Sequence, residues 1–212
     1  DNKYFLKSAI LNKYKIFSLI LLSVIICSTM DIIFKKITAS SDIPLEIKDL
    51  YLSSFPEEER REWSDIQNKI DSGNPVFSFY VLQHNTENIG FITLWRLPGA
   101  LYCEHFAILH RYRGTGYGAA AVRNAIAMAD AMPPDGTAAL VLEVELPETS
   151  EMAARRIAFY ERCGMTALTE FPYWQPPYRP GLPEVPLMLM TSRPLPDPTT
   201  LAIILHTVVY NQ

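Results

Sequence analysis

The chain has 212 residues, with 19 Lys+Arg against 23 Asp+Glu for a formal net charge of −4; 49% of it is hydrophobic and 20% charged. That length fits one domain with an appendage, and that composition excludes disorder as a description of the whole. The acidic balance excludes a nucleic-acid partner bound by bulk phosphate neutralisation, but not small anions, which a ring of backbone N–H groups holds without net positive charge.

Residues 1–29 differ from the rest. Lys3, Lys7, Lys13 and Lys15 precede an uncharged apolar run, Ile16–Cys27. A basic stretch before a short apolar run has the form of a secretory signal, and the run is short of the roughly 20 residues of a spanning helix. The second reading is an over-long start, with a domain opening as a strand at Met30-Asp-Ile-Ile-Phe. From there, Ile32–Thr38 reads as a strand and Pro44 as the start of a helix over Leu45–Phe55. Pro56-Glu-Glu-Glu opens another helix to about Ile70, with its acids in the first turn. Val76–Leu82, Ile89–Leu97 and Leu101–Leu109 form an antiparallel meander with turns at His84–Asn88 and Pro98-Gly99.

Gly114–Ala131 reads as a helix, stopped by Pro133-Pro134-Asp135-Gly136. Ala139–Leu146 is a nearly continuous apolar strand, broken only by Glu143 and Glu145. Thr149 or Ser150 caps a helix to about Cys163, which Gly164 terminates. Thr166–Phe171 is a strand, and Val185–Thr191 another, within the proline-rich span 172–198. Thr199–Tyr210 reads as a terminal helix. Cys27, Cys103 and Cys163 show no C-x-x-C spacing, and His84, His105, His110 and His206 show no H-E-x-x-H spacing. No disulfide framework or metal site is expected.

Strand 101–109, helix 116–131 and strand 139–146 make a β-α-β unit, whose crossover is right-handed and whose strands are parallel. The junction reads Arg113-Gly114-Thr115-Gly116-Tyr117-Gly118-Ala119. Glycines leading into a helix let a ligand approach the backbone, and the unpaired N–H groups there favour phosphate. A glycine-rich turn with no ligand is the competing reading of the spacing alone. The pattern is neither the G-x-G-x-x-G of dinucleotide folds nor a P-loop.

Arg113-x-x-Gly116-x-Gly118, after a strand ending Glu-His-Phe-Ala-Ile-Leu, resembles the acyl-CoA motif of the GCN5-related N-acetyltransferase (GNAT) superfamily, Q/R-x-x-G-x-G/A. The frame Arg111-x-x-Gly114-x-Gly116 satisfies the same bare pattern, but the first places Gly118-Ala119 at the helix start. Phe159-Tyr160-Glu-Arg-Cys-Gly164-Met165 is similar to the family's F-Y-x-x-x-G-F segment. The element order also matches from about Asp31 to Thr191.

The resemblance implies an α+β fold, a twisted mixed sheet of about seven strands flanked by helices. It divides the chain into an extension, 1–29, an acetyltransferase domain, 30–192, and a C-terminal helical tail, 193–212. Strands 101–109 and 139–146 would splay to admit the pantetheine arm of acetyl-CoA, the implied co-substrate, with no metal. Phe106, Ala107, Ile108 and Leu109 would pair with it through the main chain. Arg113, Gly114, Thr115, Gly116, Tyr117 and Gly118 would take the pyrophosphate.

The implied reaction is direct attack of an amine on the thioester. The amine must be neutral, so a base removes a proton and an acid protonates the thiolate. Tyr160 matches the family's acid; packing against the sheet is its other reading. Glu104 is the candidate base, on one strand face with Phe106 and Ile108, with His105 facing away; a solvated or substrate-orienting glutamate is the alternative. The Asn that family members commonly carry on this helix is Ala153 here, with Ser150 or Thr149 as substitutes.

Glu143 and Glu145 are candidates to hold a cationic substrate, a small-molecule or peptide amine. Tyr173, Trp174 and Tyr178 would line its pocket, or else brace a rigid loop or a dimer contact. A homodimer stays open; no nucleic-acid or membrane partner is expected. Acetyl-CoA is a cytosolic metabolite, so the over-long start and a cytoplasmic location are preferred to anchoring through 16–27. A silent acyl-CoA-binding module is the alternative function.

Overall fold

Alternating apolar residues build a single mixed sheet in the computed structural model, which describes residues 31–132 and 138–211. The chain divides into two units at Asp31/Ile32, and every element below belongs to the second, Ile32–Gln212. The expected extension, 1–29, and the Pro133–Gly136 helix stop lie outside the described residues.

The strands are β1 (Ile33–Ile37), β2 (Phe77–His84), β3 (Glu87–Leu97), β4 (Ala100–Ile108), β5 (Ala139–Glu145), β6 (Thr166–Ala167), β7 (Tyr173–Gln175) and β8 (Val185–Thr191). The order across the sheet is β1-β2-β3-β4-β5-β8-β6, with β7 also on β8. β1 to β4 run antiparallel, β4 and β5 are parallel, and β8 is antiparallel to its neighbours. This is the α+β class expected, with β7 added. The strand expected over Thr166–Phe171 shortens to β6, because the chain turns before Pro172.

The helices are α1 (Leu45–Ser54), α2 (Trp63–Asp71), α3 (Tyr117–Asp130), α4 (Glu151–Arg162) and α5 (Pro198–Ile204), the last widening into a π turn, Leu205–Val209. The helix expected from Pro56 to Ile70 is corrected. Glu57–Glu59 make one short turn, Arg60 is extended, and α2 starts at Trp63. The break lets the Arg61 side chain enter the core, where it is 3% exposed.

One sheet face carries Phe79, Phe91, Trp95, Tyr102 and Val141 under α1, α2 and the C-terminal segment. The other carries Leu94, Cys103, Leu140 and Leu142 under α3 and α4. Leu201, Leu205, Val209 and Tyr210, from the segment expected as a tail, join the first-face core. Their burial contributes about 1.5–3 kcal/mol for each large apolar side chain.

Candidate active site

The site begins where one strand pairing stops. β4 and β5 pair from Ala100↔Ala139 to Cys103↔Leu142, and among the described residues no further pair follows. Beyond that point both strands continue separately, as the resemblance implies. The opening is part of a cleft of about 560 Å³, lined among others by Glu104, Phe106, Ile108, Glu143 and Tyr160.

A β-bulge at the same level re-aims β4. Thr93 opposes His105 and Leu94 opposes Cys103, leaving Glu104 as the extra residue. The Thr93 hydroxyl accepts the His105 N–H at 2.9 Å, which satisfies the bulged backbone. A bulge breaks the period of two. Glu104 and His105 therefore both turn to the first face, where His105 packs edge-on against Phe55. The expectation that Glu104 shares a face with Phe106 and Ile108 is corrected for this reason; His105 does face away from those two, but on the same face as Glu104.

Glu104 is neither solvated nor free. Its side chain is 0% accessible and pairs with Arg61 Nε at 2.6 Å. Trp95 Nε1 donates to it at 2.8 Å and the Tyr178 hydroxyl at 3.2 Å. Burial pushes the carboxyl up, but the Arg61 charge and the hydrogen bonds of His105 and Trp95 together outweigh burial and hold it at about 2. A carboxylate so held does not accept a proton at neutral pH.

Glu143 lies on β5, one residue past the last β4 pair. The Tyr173 hydroxyl donates to its Oε1, and the Tyr210 hydroxyl to its Oε2 at 2.7 Å. Burial raises its carboxyl to about 7, with Glu104 adding repulsion, against the lowering bonds of Tyr173, Tyr210 and Tyr102. This is the range in which a carboxylate both takes and releases a proton.

Tyr160, 8% exposed, belongs to the second-face core on α4. Burial pushes its phenol up, so the hydroxyl stays protonated through the neutral range. Glu143 and Tyr160 thus reach the opening from opposite faces of the sheet. Ser150 caps α4, accepting the Ala153 N–H at 3.0 Å, and Thr149 donates to the Leu146 carbonyl. Both substitutes for the missing Asn are therefore occupied with local structure.

The glycine-rich junction leads from β4 into α3, and its Arg113 lines the cleft. Gly114 has φ 73° and Gly116, the residue capping α3, has φ 96°. Side-chain-bearing residues rarely adopt this left-handed backbone, which explains both glycines. No side chain caps α3, so the N–H groups of its first turn remain for an anion. Gly118 faces α4: a Cβ there would meet the Phe159 ring at 3.4 Å, an ordinary contact.

Arg113 donates through Nε to the Ile108 carbonyl at 2.8 Å, and Leu109 N–H to the Ile89 carbonyl at 2.9 Å. Phe106 and Ala107 pair with β3 on one edge only. Thr115 donates to the Tyr112 carbonyl, and the Tyr117 ring meets Tyr112 edge-on and His84 at a tilt.

The expected substrate residues separate. Glu145 lines the cleft but is paired with Arg156. Tyr173 and Tyr178 stand behind the two glutamates, and Tyr178 covers a cation of the protein itself, the Arg61 guanidinium, at 4.8 Å. Trp174 is 50% exposed on the outer side of β7. Arg61, Tyr210, and Glu59 at the cleft wall escaped the sequence reading. The acids after Pro56 were legible; their approach to β4 was not.

Among the described residues no group of three or more His, Cys, Asp or Glu side chains is arranged to hold a metal, and no helix is long and apolar enough to cross a membrane.

Comparison with known proteins agrees with this geometry. The profile of the Acetyltransferase (GNAT) family matches residues 45–165. A putative GNAT-family acetyltransferase from Bacteroides thetaiotaomicron is 33% identical, with a TM-score of 0.73, over 86% of this chain and 99% of that one. The ribosomal-protein-S18-alanine N-acetyltransferase of Escherichia coli is 19% identical, with a TM-score of 0.52, over 79% and 97% of the chains. A Bacillus subtilis acetyltransferase solved with CoA is 15% identical, with a TM-score of 0.51, over 78% and 100%. No curated protein sequence matches. The family profile, the eight-stranded mixed sheet and the opening between β4 and β5 agree, and the chain belongs to the GNAT acetyltransferase family.

Proposed function

We propose that the protein is an acetyl-CoA-dependent N-acetyltransferase acting on a primary amine of a small molecule or peptide. The observation that carries this is the β4–β5 opening, with a buried hydroxyl reaching it from one face and a buried carboxyl from the other. Bound acetyl-CoA supplies the acetyl group as a thioester. The backbone of Phe106–Leu109 lies along the opening for the pantetheine arm, and the start of α3, from Gly114 to Gly118, meets the pyrophosphate.

Glu143 takes the proton of the acceptor amine, whose ordinary pKa of about 10.4 keeps it charged in water. Its carboxyl, raised to about 7 by burial, is ionised at working pH yet basic enough to accept. Tyr160 protonates the departing sulfur from the other face. Glu104 supports the site as half of a buried ion pair and is not the base. Acetyl-CoA is a cytosolic metabolite, which supports a cytoplasmic location.

The test is thiol release from acetyl-CoA against polyamines, aminoglycosides, amino acids and peptides. Turnover with one acceptor class is expected. Tight acetyl-CoA binding with no turnover across the panel overturns catalysis in favour of a silent binding module.

A further inference from the structure

The C-terminal segment reaches into the site from beyond the family match, which ends at residue 165. Tyr210 follows the π turn and is 4% exposed. Its hydroxyl donates to Glu143 Oε2 at 2.7 Å and lies 3.1 Å from the Tyr102 hydroxyl. Tyr173 occupies the other carboxylate oxygen. One tyrosine on each oxygen fixes the rotation of the carboxyl and leaves its remaining lone pairs for an acceptor.

The same segment is fastened twice more. The Val209 carbonyl accepts from Arg61, the cation that pairs with Glu104. Leu201, Leu205 and Val209 anchor it in the first-face core. An appendage needs no hydrogen bond to a carboxylate in the cleft; this one also holds the guanidinium that neutralises the neighbouring glutamate.

We propose that Tyr210 is a positioning residue for acetyl transfer: it holds the Glu143 carboxylate in place, so that the C-terminal segment is part of the catalytic unit. The proposal rests on the reading of Glu143 as the base. The groups facing Glu143 are Tyr102 and Glu104 from β4, Tyr173 from β7, Tyr178 from the following loop, and Tyr210. Arg61 offsets the Glu104 charge. A tyrosine hydroxyl donates to the ionised carboxyl, so removing one disfavours ionisation.

The experiment uses the full chain and the Tyr210→Phe variant. Rates are followed against pH with acetyl-CoA and the acceptor found above. The lower limb of kcat/KM is expected to move up by about one pH unit, with KM for acetyl-CoA unchanged. In parallel, carbon-13 NMR of glutamate-labelled protein, assigned with Glu143→Gln, follows the Glu143 carboxyl directly and is expected to shift by the same amount. That second readout needs no turnover, so it separates failure of this proposal from failure of the acetyltransferase reading.

A limb and a carboxyl titration that both stay in place overturn the proposal, as does loss of kcat with no change of midpoint. Should the Phe variant not fold, Tyr210→Met keeps the apolar bulk without the hydroxyl and is read in the same way.

Discussion

Two glutamates stand on either side of the β4–β5 opening, both with fully buried carboxyls, and their chemistry is opposite. On the β4 side, Arg61 pairs with Glu104 at 2.6 Å, and Trp95 and Tyr178 complete a closed, charged pocket. On the β5 side, among the described residues, the hydrogen-bond partners of the Glu143 carboxyl are tyrosine hydroxyls. Burial opposes ionisation in both places. A full positive charge, helped by His105 and Trp95, reverses that tendency at Glu104, down to about 2, while neutral donors only moderate it at Glu143, left at about 7. A carboxylate that must exchange a proton therefore needs hydroxyls, and one that must stay charged needs a guanidinium.

The most severe way to break the contrast is Glu143→Gln. Loss of a general base is expected to lower kcat by about 10²- to 10⁴-fold. The folded structure and acetyl-CoA affinity should persist, because the glutamine oxygen still accepts from one tyrosine hydroxyl and its NH2 donates to the other. In the parent enzyme kcat/KM should rise through about pH 7, the Glu143 value. A second limb belongs to the acceptor amine, near about 10 for a lysine-type amine, and moves with the acceptor. If Glu104 were the base, no limb would stand near neutrality.

Arg61→Met tests the other side. Removing one partner of a buried ion pair leaves Glu104 unpaired and costs about 3–5 kcal/mol, read by chemical denaturation. The Glu104 carboxyl is expected to rise into the range that Glu143 now holds. Adding Glu104→Gln to the same chain should restore a large part of the loss, because the uncompensated charge is gone.

Tyr160→Phe sharpens the assignment of faces. An acid delivered from the second face is expected to contribute about 10²-fold, or about 2.7 kcal/mol, to kcat. The lower pH limb should stay where it is, since Glu143 reaches the opening from the first face. Full kcat in this variant would leave Tyr160 only its packing role.

The sequence carried the local part of this site and not the long-range part. The strand ending at Leu109, the glycine junction and the Phe159-Tyr160 helix are contiguous patterns, and the structure has the helices they announce, α3 and α4. The bulge at Glu104 leaves no mark in hydrophobic alternation, so period-two reasoning put Glu104 on the wrong face. The Arg61–Glu104 pair joins residues 43 apart, and Tyr210 meets Glu143 across 67. No periodicity encodes such contacts. Arg61 sits in what reads as a charged helix start, so nothing local announced its burial.

Stability alone separates the two carboxyls. Glu104, lowered from 4.5 to about 2, binds its proton less tightly in the folded protein, so its contribution is complete above about pH 4.5 and is lost as pH falls toward 2. Glu143, raised from 4.5 to about 7, binds its proton more tightly when folded; its contribution is complete below about pH 4.5 and is lost as pH rises through 7. Between these limits only Glu143 titrates of the two. Thermal melts at about pH 5 and about pH 8 should therefore show a decline in the parent that Glu143→Gln flattens, because glutamine carries no titrating proton. The same variant should keep the parent's loss of stability below about pH 4.5, which belongs to Glu104. An unchanged decline between pH 5 and 8 would mean that hydroxyls alone had kept Glu143 ionised, and the contrast with Glu104 would vanish.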